Sequence, residues 1–224
     1  MKTYYETEPC ASVLNQLLEN AKGNGAKMAT HVSKAMAKSL FGASFSNAFN
    51  TSDFKEVYMA VSSDEGKMLY QIARSCKPRL IVEFGTSFGI SAIFLGAALK
   101  DQGFGEMIST EIEANKVAEA RKSLSQAGLG DVVEIREGDA QETLKSLDQP
   151  IDLLFLDGWK DLYLPIMQML LPQMPKGSVL LADNINMFPK DLHSFREFLS
   201  DSSLGGFVTS ILPIGNSLAF SIRL

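Results

Sequence analysis

The stretch Arg79-Leu-Ile-Val-Glu-Phe-Gly85-Thr-Ser-Phe-Gly89-Ile-Ser91 decides the fold of this 224-residue chain. Its apolar run, 80–84, predicts a buried parallel strand that stops at Gly85, and a helical pattern begins at Ile90. Gly85 and Gly89 let the backbone turn sharply and approach a ligand, because neither residue carries a Cβ. The new helix would direct unpaired N–H groups into the turn, which suits a carboxylate or a phosphate. A strand, a glycine turn and a helix in this order begin the ligand crevice of an open α/β sheet.

The composition of the chain excludes several classes of protein. Hydrophobic residues make up 46% and charged residues 21% of the sequence, which is typical of a globular domain. The net charge of −5 and the absence of a Lys/Arg stripe argue against a nucleic-acid partner. Each apolar run is too short to span a membrane, and the N-terminus lacks a signal-peptide core. Cys10 and Cys76 form no CxxC pair, which favours a cytoplasmic protein.

Strands and helices alternate from residue 62 onward. The capping box Ser62-x-x-Glu65 opens a helix at about Asp64 that ends at Cys76. Strands are then predicted at 79–84, 107–111, 132–137, 151–157 and 178–183, and helices at 90–100, 113–127, 139–147, 161–171 and 190–200. The last two strands, 207–212 and 218–222, are joined by a connection too short for a crossover helix, so they pair antiparallel. We therefore predict an α/β fold with a mostly parallel seven-stranded sheet, a C-terminal antiparallel hairpin and helices on both faces.

The N-terminal quarter of the chain differs from the rest, because it shows no strand pattern. We predict one domain over residues 1–224, with a helical cap or lid at 1–55 and the sheet core at 56–224. Phe41, Phe45 and Phe49 recur every four residues, which indicates a helix face that is buried in the core or in a subunit interface. The stripe favours a homodimer, and His31 is assigned no role.

Polar side chains stand at the predicted carboxyl ends of the parallel strands, where ligands bind in such sheets. They are Glu83, Glu111, Asp139, Asp157, Asp183 and Asn184. These acidic groups would repel one another unless a cation or a cationic cofactor were bound. Glu111 lies 26 residues after Gly85 (111 − 85), at the end of the next strand, where a carboxylate can accept hydrogen bonds from two ribose hydroxyls. Asp139 or Gln141 could meet an adenine amino group, although Gly-Asp is also ordinary turn chemistry.

Asp157, Asp183 and Asn184 offer two carboxylates and an amide oxygen, which are hard ligands suited to Mg²⁺ or another divalent cation. Asp183-Asn184 is also a common strand-ending turn. Lys160 follows on the loop after Asp157, where a neighbouring divalent ion would let it act as a general base. Trp159 offers a flat face for adenine or a substrate ring, or simply packs.

Four segments of the sequence are informative together: Val82-Glu-Phe-Gly-Thr-Ser-Phe-Gly-Ile-Ser91, Thr110-Glu111, Phe155-Leu-Asp-Gly-Trp-Lys-Asp-Leu-Tyr-Leu-Pro165 and Val179-Leu-Leu-Ala-Asp-Asn184. In order and spacing they resemble the metal-dependent, S-adenosylmethionine-dependent O-methyltransferases of the catechol and caffeoyl-CoA types. The resemblance implies a Rossmann-like methyltransferase fold. It implies that a divalent cation is held by Asp157, Asp183 and Asn184, with Lys160 and Asp157 as the catalytic residues. The resemblance and the strand-end acids together give the predicted cofactor-binding residues, which are Met59, Val61, Glu83, Gly85, Ser87, Ser91, Glu111, Asp139, Ala140, Gln141, Asp157 and Trp159.

The sequence also departs from that family. The catechol enzyme has a histidine where this chain has Gly158, and no clear counterpart exists for the late acidic residue that orients its catechol hydroxyl. The first fifty-odd residues, which help to shape the substrate pocket in this family, match poorly. The reaction class is therefore better predicted than the substrate, for which we expect a small catechol-like or other vicinal hydroxylated aromatic compound.

Two other enzyme classes share parts of the pattern. Gly85-Thr-Ser87-Phe-Gly89 matches the G-x-S-x-G elbow of serine hydrolases, with Asp183 and His193 following in the right chain order. No strand precedes this turn, however, and the acidic strand ends would then have no purpose. An NAD-dependent oxidoreductase would need G-x-G-x-x-G, whereas the spacing here is Gly85-x-x-x-Gly89.

Overall fold

The fold is taken from a computed structural model of the protein, which describes residues 2–23, 60–187 and 189–224. The helices are α1 (Cys10–Gly23), α2 (Ser63–Cys76), α3 (Ile90–Gln102), α4 (Ala114–Gln126), α5 (Ala140–Thr143), α6 (Tyr163–Leu170), α7 (His193–Ser200) and α8 (Ser202–Gly205). The strands are β1 (Leu80–Phe84), β2 (Glu106–Glu111), β3 (Val133–Glu137), β4 (Leu153–Leu156), β5 (Val179–Ala182), β6 (Phe207–Leu212) and β7 (Leu218–Arg223). Short 3₁₀ turns occur at Tyr4–Glu6, Lys160–Leu162 and Leu171–Gln173.

The strands form one sheet in the order β3-β2-β1-β4-β5-β7-β6. The pairs among β1 to β5 are parallel, whereas β7 runs antiparallel to both β5 and β6. The prediction of a mostly parallel seven-stranded sheet with a C-terminal hairpin is confirmed. The chain leaves β1 in one direction for β2 and β3 and crosses to the other side for β4 and β5, so the crevice between β1 and β4 opens at their carboxyl ends.

Most predicted element bounds agree with the structure to within three residues, and helix 139–147 is the exception. The helix there is the single turn α5, Ala140–Thr143. Arg136 donates a hydrogen bond to the carbonyl of Thr143 (3.0 Å), and the chain then bends toward Pro150. Leu144 and Leu147 are buried in this turn rather than on the face of a longer helix.

Two apolar layers enclose the sheet, one on each face, so the prediction of helices on both faces is confirmed. One layer packs α1, α2, α3 and α4 against the sheet, and the other packs α5, α6 and α7. Helix α3 is buried from Ile90 to Leu99, because the sheet covers one side and α2 the other. Gly66 makes this contact possible, since a Cβ there would lie 2.2 Å from the Phe94 ring.

The N-terminal segment is attached to the α3 side of the sheet. The main-chain N–H of Tyr4 and the hydroxyl of Tyr70 both donate to the Asp101 carboxylate, at 2.8 and 2.7 Å, and the Tyr4 hydroxyl donates to the Gly128 carbonyl at 3.0 Å. The Phe41/Phe45/Phe49 stripe, His31 and most of the expected cap at 1–55 lie outside the described residues. Helices long and apolar enough to cross a bilayer are absent from the ranges given above.

Candidate active site

The glycine turn after β1 is built for close approach of the backbone. Gly85 has φ +103°, and a Cβ there would lie 2.7 Å from the main-chain nitrogen of Gly158 in the loop after β4. Gly89, with φ +88°, caps the N-terminus of α3 as predicted. Ser87 also has a positive φ, +49°, an uncommon conformation for a residue with a side chain. The turn therefore presents main-chain atoms to the crevice with no Cβ at the narrowest point.

Glu111 forms the wall of the crevice at the end of β2, and its carboxylate is held by the main chain. It accepts hydrogen bonds from the N–H groups of Ser87 (2.9 Å), Ile112 (2.9 Å) and Glu113 (3.0 Å). Three donors use most of the roughly four acceptor sites of a carboxylate. Glu111 can thus accept one ribose hydroxyl directly, and a second one would have to displace an N–H donor.

Glu83 lies inside β1, fully buried, opposite Ser109 of β2. The Ser109 hydroxyl donates to its carboxylate, and the Thr86 hydroxyl contacts Ser109 in turn. Burial raises the pKa of Glu83 to about 7, although hydrogen bonds from Ser109 and Ser91 oppose that shift. One oxygen of Glu83 and the Ser87 hydroxyl are buried without hydrogen-bond partners, and of these two residues Ser87 lines the crevice.

The structure brings most of the predicted cofactor residues to two adjoining pockets. The larger pocket is lined by Gly85, Ser87, Glu111, Asp139, Ala140, Asp157 and Trp159, together with Lys116. The smaller pocket is lined by Val61, Gly85, Ser87, Ser91 and Asp157. Gln141 and the fully buried Glu83 are in neither lining, and Met59 lies outside the described residues. Asp139 caps α5 by accepting from the Gln141 N–H (2.9 Å), which uses part of its acceptor capacity.

Lys116 is a pocket residue that sequence reasoning missed. It is buried, its Nζ lies 5.6 Å from the centroid of the Phe88 ring, and burial lowers its pKa. Its neighbours Glu111 and Glu113 oppose that shift, because they favour the charged lysine. A lysine in an amphipathic helix usually faces solvent, so the sequence offered no signal for this position.

The predicted metal ligands lie at the carboxyl ends of β4 and β5. Asp183 is 4% exposed, and its carboxylate accepts the main-chain N–H of Asn184 (2.6 Å) and contacts the Asn184 amide nitrogen. Burial, and then the charge of Asp183, raise the pKa of Asp157 well above its usual range. Asn184 has φ +59°, a conformation that asparagine tolerates better than most residues. Within the described ranges, no three His, Cys, Asp or Glu side chains are grouped so that they could hold a metal ion, so the predicted set depends on the Asn184 amide as its third donor.

Lys160 and Tyr163 form a buried pair beside the two aspartates. The Lys160 Nζ lies 3.5 Å from Oδ1 of Asp157, 2.5 Å from the Tyr163 hydroxyl and 3.4 Å from the main-chain oxygen of Asp183. The Tyr163 hydroxyl donates to that same Asp183 oxygen at 3.1 Å. Tyr163 was not singled out from the sequence, although its spacing of three from Lys160 on a helical turn was a usable signal.

Glu65 is a third acidic residue at this end of the crevice, and the sequence pointed only to its role in helix capping. The capping box is present: Oε2 of Glu65 accepts the Ser62 N–H (3.3 Å), and the Ser62 hydroxyl accepts the Glu65 N–H (3.2 Å). The residue is nevertheless only 2% exposed, and Oε1 accepts no hydrogen bond. Burial first, and then its contact with Asp183 and the charge of Asp157, raise its pKa to about 9.

Two departures noted in the sequence have a structural account. A Cβ on Gly158 would lie 2.5 Å from the Phe84 ring, so Phe84 fills the space that a histidine side chain would need. For the hydrolase alternative, Ser87 would need a histidine partner. His193 is 70% exposed and pairs with Glu197 across one turn of α7 (3.4 Å), so it does not serve Ser87.

Comparisons with known proteins identify methyltransferases as the proteins that this chain is similar to. A family model described as a methyltransferase domain matches residues 82–185. The catechol O-methyltransferase of Niastella koreensis is 34% identical over 131 residues, covering 57% of this chain and 58% of that protein. The catechol O-methyltransferase of Sus scrofa is 31% identical over 139 residues, covering 58% of this chain and 73% of that protein.

Similarity in three dimensions covers more of the chain. The O-methyltransferase TomG from Streptomyces achromogenes, involved in tomaymycin synthesis and solved in complex with SAM, superposes with a TM-score of 0.68 and 25% identity. The superposition covers 74% of this chain and 82% of TomG. The match to the Niastella protein spans little more than half of that protein's own length. The hydrolase and oxidoreductase alternatives gain no support from these similarities.

Proposed function

Because the chain belongs to the class I, S-adenosylmethionine-dependent O-methyltransferases, we propose that it moves a methyl group from S-adenosylmethionine to a hydroxyl of a small catechol-like or other vicinal hydroxylated aromatic compound, with Mg²⁺ or another divalent cation. The observation that carries the proposal is the group formed by Lys160, Asp157 and Asp183 beside the glycine turn. The buried Lys160 Nζ lies 3.5 Å from the half-buried Asp157 carboxylate and next to the buried Asp183, so the group combines an amine, which accepts a proton when it is neutral, with hard metal ligands.

The cofactor fits the pockets on either side of Gly85. Glu111 would accept a ribose hydroxyl, and Ala140 and Trp159 would flank the adenine. The unpartnered Ser87 hydroxyl and the start of α3 near Ser91 suit the methionine carboxylate, since both offer hydrogen-bond donors. The unpartnered oxygen of Glu83 and the Asp157 carboxylate would favour the positive charges of the same ligand. Val61, and Met59 beyond the described residues, are proposed as main-chain contacts.

A divalent cation fits the chemistry of the crevice wall opposite Glu111, which consists of Asp157, Asp183 and Asn184. Asp157, Asp183 and Asn184 would hold it through oxygen atoms, and the like charges that raise the pKa of Asp157 would be relieved by a cation. When bound, such an ion lowers the pKa of a hydroxyl that it coordinates. Asn184 would turn its amide so that the oxygen faces the ion, and such an amide flip changes no bond length or backbone position.

Lys160 is proposed as the general base. With a divalent cation disfavouring its ammonium form, its Nζ would act as the neutral amine and take the proton of the attacking hydroxyl, while the oxygen forms a bond to the methyl carbon and the bond from that carbon to sulfur breaks. Tyr163 restricts where that nitrogen can lie, because its hydroxyl contacts Nζ and is itself fixed on the Asp183 carbonyl. The remaining products are the methyl ether and S-adenosylhomocysteine.

We also propose a homodimer in the cytoplasm. The free thiols of Cys10 and Cys76 agree with a reducing compartment. The exposed apolar residues Val208 and Ile211 on the edge strand β6 agree with a subunit contact, because they leave an apolar patch in the monomer.

The test is an acceptor screen with the purified chain, S-adenosylmethionine and Mg²⁺. We expect mass spectrometry to detect a mono-methylated product and an equal amount of S-adenosylhomocysteine with at least one vicinal diol of an aromatic ring. A matched mono-phenol of each acceptor should react far more slowly, because it offers one oxygen instead of two. Equal rates for both would contradict the proposed substrate class, and no product from any acceptor would contradict the activity.

A further inference from the structure

Glu65 is the buried acidic group for which the reaction proposed above has no use. It lies at the start of α2, outside the strand ends that supply the other acidic residues of the crevice. Its Oε2 completes a capping box with Ser62, but its Oε1 is buried without a donor. A capping glutamate is ordinarily exposed, so the capping function alone does not explain a side chain that is 2% exposed.

The carboxylate of Glu65 faces the wall of the crevice that Asp157 and Asp183 form. Its contacts are Asp183 and, at longer range, Asp157, which both disfavour its charged form. The turn of the C-terminal hairpin closes over it, since a Cβ on Gly215 would lie 2.7 Å from Oε2 and 3.1 Å from Oε1. Gly215 has φ +57°, so both its backbone conformation and its lack of a side chain suit this cover.

The charges at this wall do not balance among the described residues. Three carboxylates, on Glu65, Asp157 and Asp183, face one ammonium, that of Lys160. Tyr163 adds a neutral phenol, and the other nearby acid, Glu83, is hydrogen-bonded to Ser109 inside β1. With all three carboxylates ionised, this wall would carry two negative charges in excess, which is the charge that a divalent cation balances.

We propose that Glu65 is a positioning residue of the divalent-cation site, whose Oε1 accepts a hydrogen bond from a water or hydroxyl bound to the ion. The three carboxylates do not converge as direct ligands, so the outer position is the one that their arrangement supports. The inference rests on the cation site that the proposed function assigns to Asp157, Asp183 and Asn184. It links that site to α2 and to the hairpin turn, two elements that carry no ligand themselves.

The experiment measures binding of Mn²⁺ alone to the full chain, from the electron paramagnetic resonance signal of the free ion. Glu65→Gln keeps the capping box, because glutamine at this position serves it equally, and removes the charge. We expect the Kd for Mn²⁺ to rise by about tenfold or more, the usual cost of losing a group behind the ligands. The matched control is Asp64→Asn, which removes one carboxylate from the preceding, exposed residue, where it pairs with Lys67 at 3.2 Å. Its Kd should stay within about twofold of the wild type, because exposed ion pairs contribute little.

The melting temperature of the variants and the size of the change in Kd decide the outcome. The metal-free melting temperature of Glu65→Gln should be close to that of the wild type, because the amide, like the protonated carboxyl of the metal-free protein, places no charge beside Asp183. A smaller rise in Kd than expected, or an equal rise in Asp64→Asn, would overturn the inference and leave the proposed function intact. If Glu65→Gln does not fold, Glu65→Asp is measured instead and should weaken Mn²⁺ binding, and failure of both to fold would assign Glu65 a structural role and overturn the inference.

The proposed function and this inference fail in different ways. A wild-type chain that binds no Mn²⁺ would remove the cation site and the inference together. A chain that binds Mn²⁺ through Glu65 but methylates no acceptor would support the inference and contradict the proposed activity.

Discussion

The two walls of the crevice both carry carboxylates, but the surroundings of these carboxylates differ. Glu111 belongs to the cofactor wall, and Asp157, Asp183 and Asn184 form the opposite wall. On the cofactor wall, Glu111 accepts three main-chain hydrogen bonds of 2.9 to 3.0 Å. On the opposite wall, the charges of Glu65, Asp157 and Asp183 crowd one another, and Lys160 is the cation in contact with Asp157. The carboxylate of the first wall is satisfied by main-chain donors, whereas the proposed function assigns a bound cation to the second. The comparison predicts that cofactor binding is independent of metal and that turnover is not.

The largest effect is expected from Asp183→Ala. Metal-supported turnover should fall by about a thousandfold or more, because the variant loses a direct ligand and the several kcal/mol that a cation contributes to the transition state. Calorimetric titration should show a Kd for S-adenosylmethionine that is largely unchanged, since Glu111 and the glycine turn are untouched. A variant that loses cofactor affinity as severely as turnover would mean that the two walls are not separable.

Lys160→Met should lower kcat by about a hundredfold to a thousandfold, the usual contribution of a positioned base. Methionine keeps most of the apolar volume of the buried stem, so the fold should persist. The measurement is a comparison of kcat with the Kd for S-adenosylmethionine, and the Kd should change little. An unchanged kcat would remove Lys160 as the base.

Glu83 lies between the two walls, and its raised pKa leads us to expect that the stability of the protein depends on pH. Its folded-state pKa of about 7 is above the usual value near 4.5, so the folded protein binds this proton more tightly than the unfolded chain. Stability is therefore highest below the unfolded pKa and falls as the pH rises through 7, by about 2 kcal/mol between pH 5 and 8 for this group. The raised pKa values of Glu65 and Asp157 act in the same direction.

The check is urea unfolding of metal-free wild type and Glu83→Gln at several pH values. The glutamine oxygen can still accept the Ser109 hydroxyl, so packing is conserved while the titration is lost. The variant should lose less stability than the wild type as the pH rises. Identical pH profiles for the two proteins would contradict a buried, raised carboxyl at this position.

The smallest effect is expected on the cofactor wall. Glu111→Gln should raise the Kd for S-adenosylmethionine by about tenfold, because a charge-assisted hydrogen bond to ribose is replaced by a neutral one and one oxygen is lost. Binding of Mn²⁺ should be unchanged, which is the converse of Asp183→Ala. A loss of metal binding in Glu111→Gln would contradict the separation of the two walls.

The sheet could be predicted from the sequence because its strands are short apolar runs separated by clear turn signals. Val179–Ala182 and Leu153–Leu156 are fully buried, so their patterns are continuous and hard to misread. The predicted length of helix 139–147 was wrong. The helix ends at Thr143, whose carbonyl accepts a hydrogen bond from Arg136, and the periodicity of the sequence does not reveal such a bond. The strand-end acids were found for the same reason as the sheet, since parallel strands bring their carboxyl ends to one edge.

The rest of the site could not be read from the sequence. Glu65 satisfies a local capping rule, and nothing in the local pattern says that the hairpin turn at Gly215 will bury it beside Asp183. Lys116 looks like any exposed helical lysine until α4 is placed against the crevice. Both residues are set by contacts between distant parts of the chain, which a motif does not encode.

The most direct test of the two-wall account is the rate of methyl transfer to one vicinal diol at saturating S-adenosylmethionine, first in EDTA and then after excess Mg²⁺ is added to the same sample. The account predicts a rate in EDTA that is lower by about a thousandfold and is restored by Mg²⁺. Bound S-adenosylmethionine, followed in parallel, should be the same before and after the addition. Full turnover in EDTA would contradict the account, because methyl transfer would then not require a cation at Asp157 and Asp183.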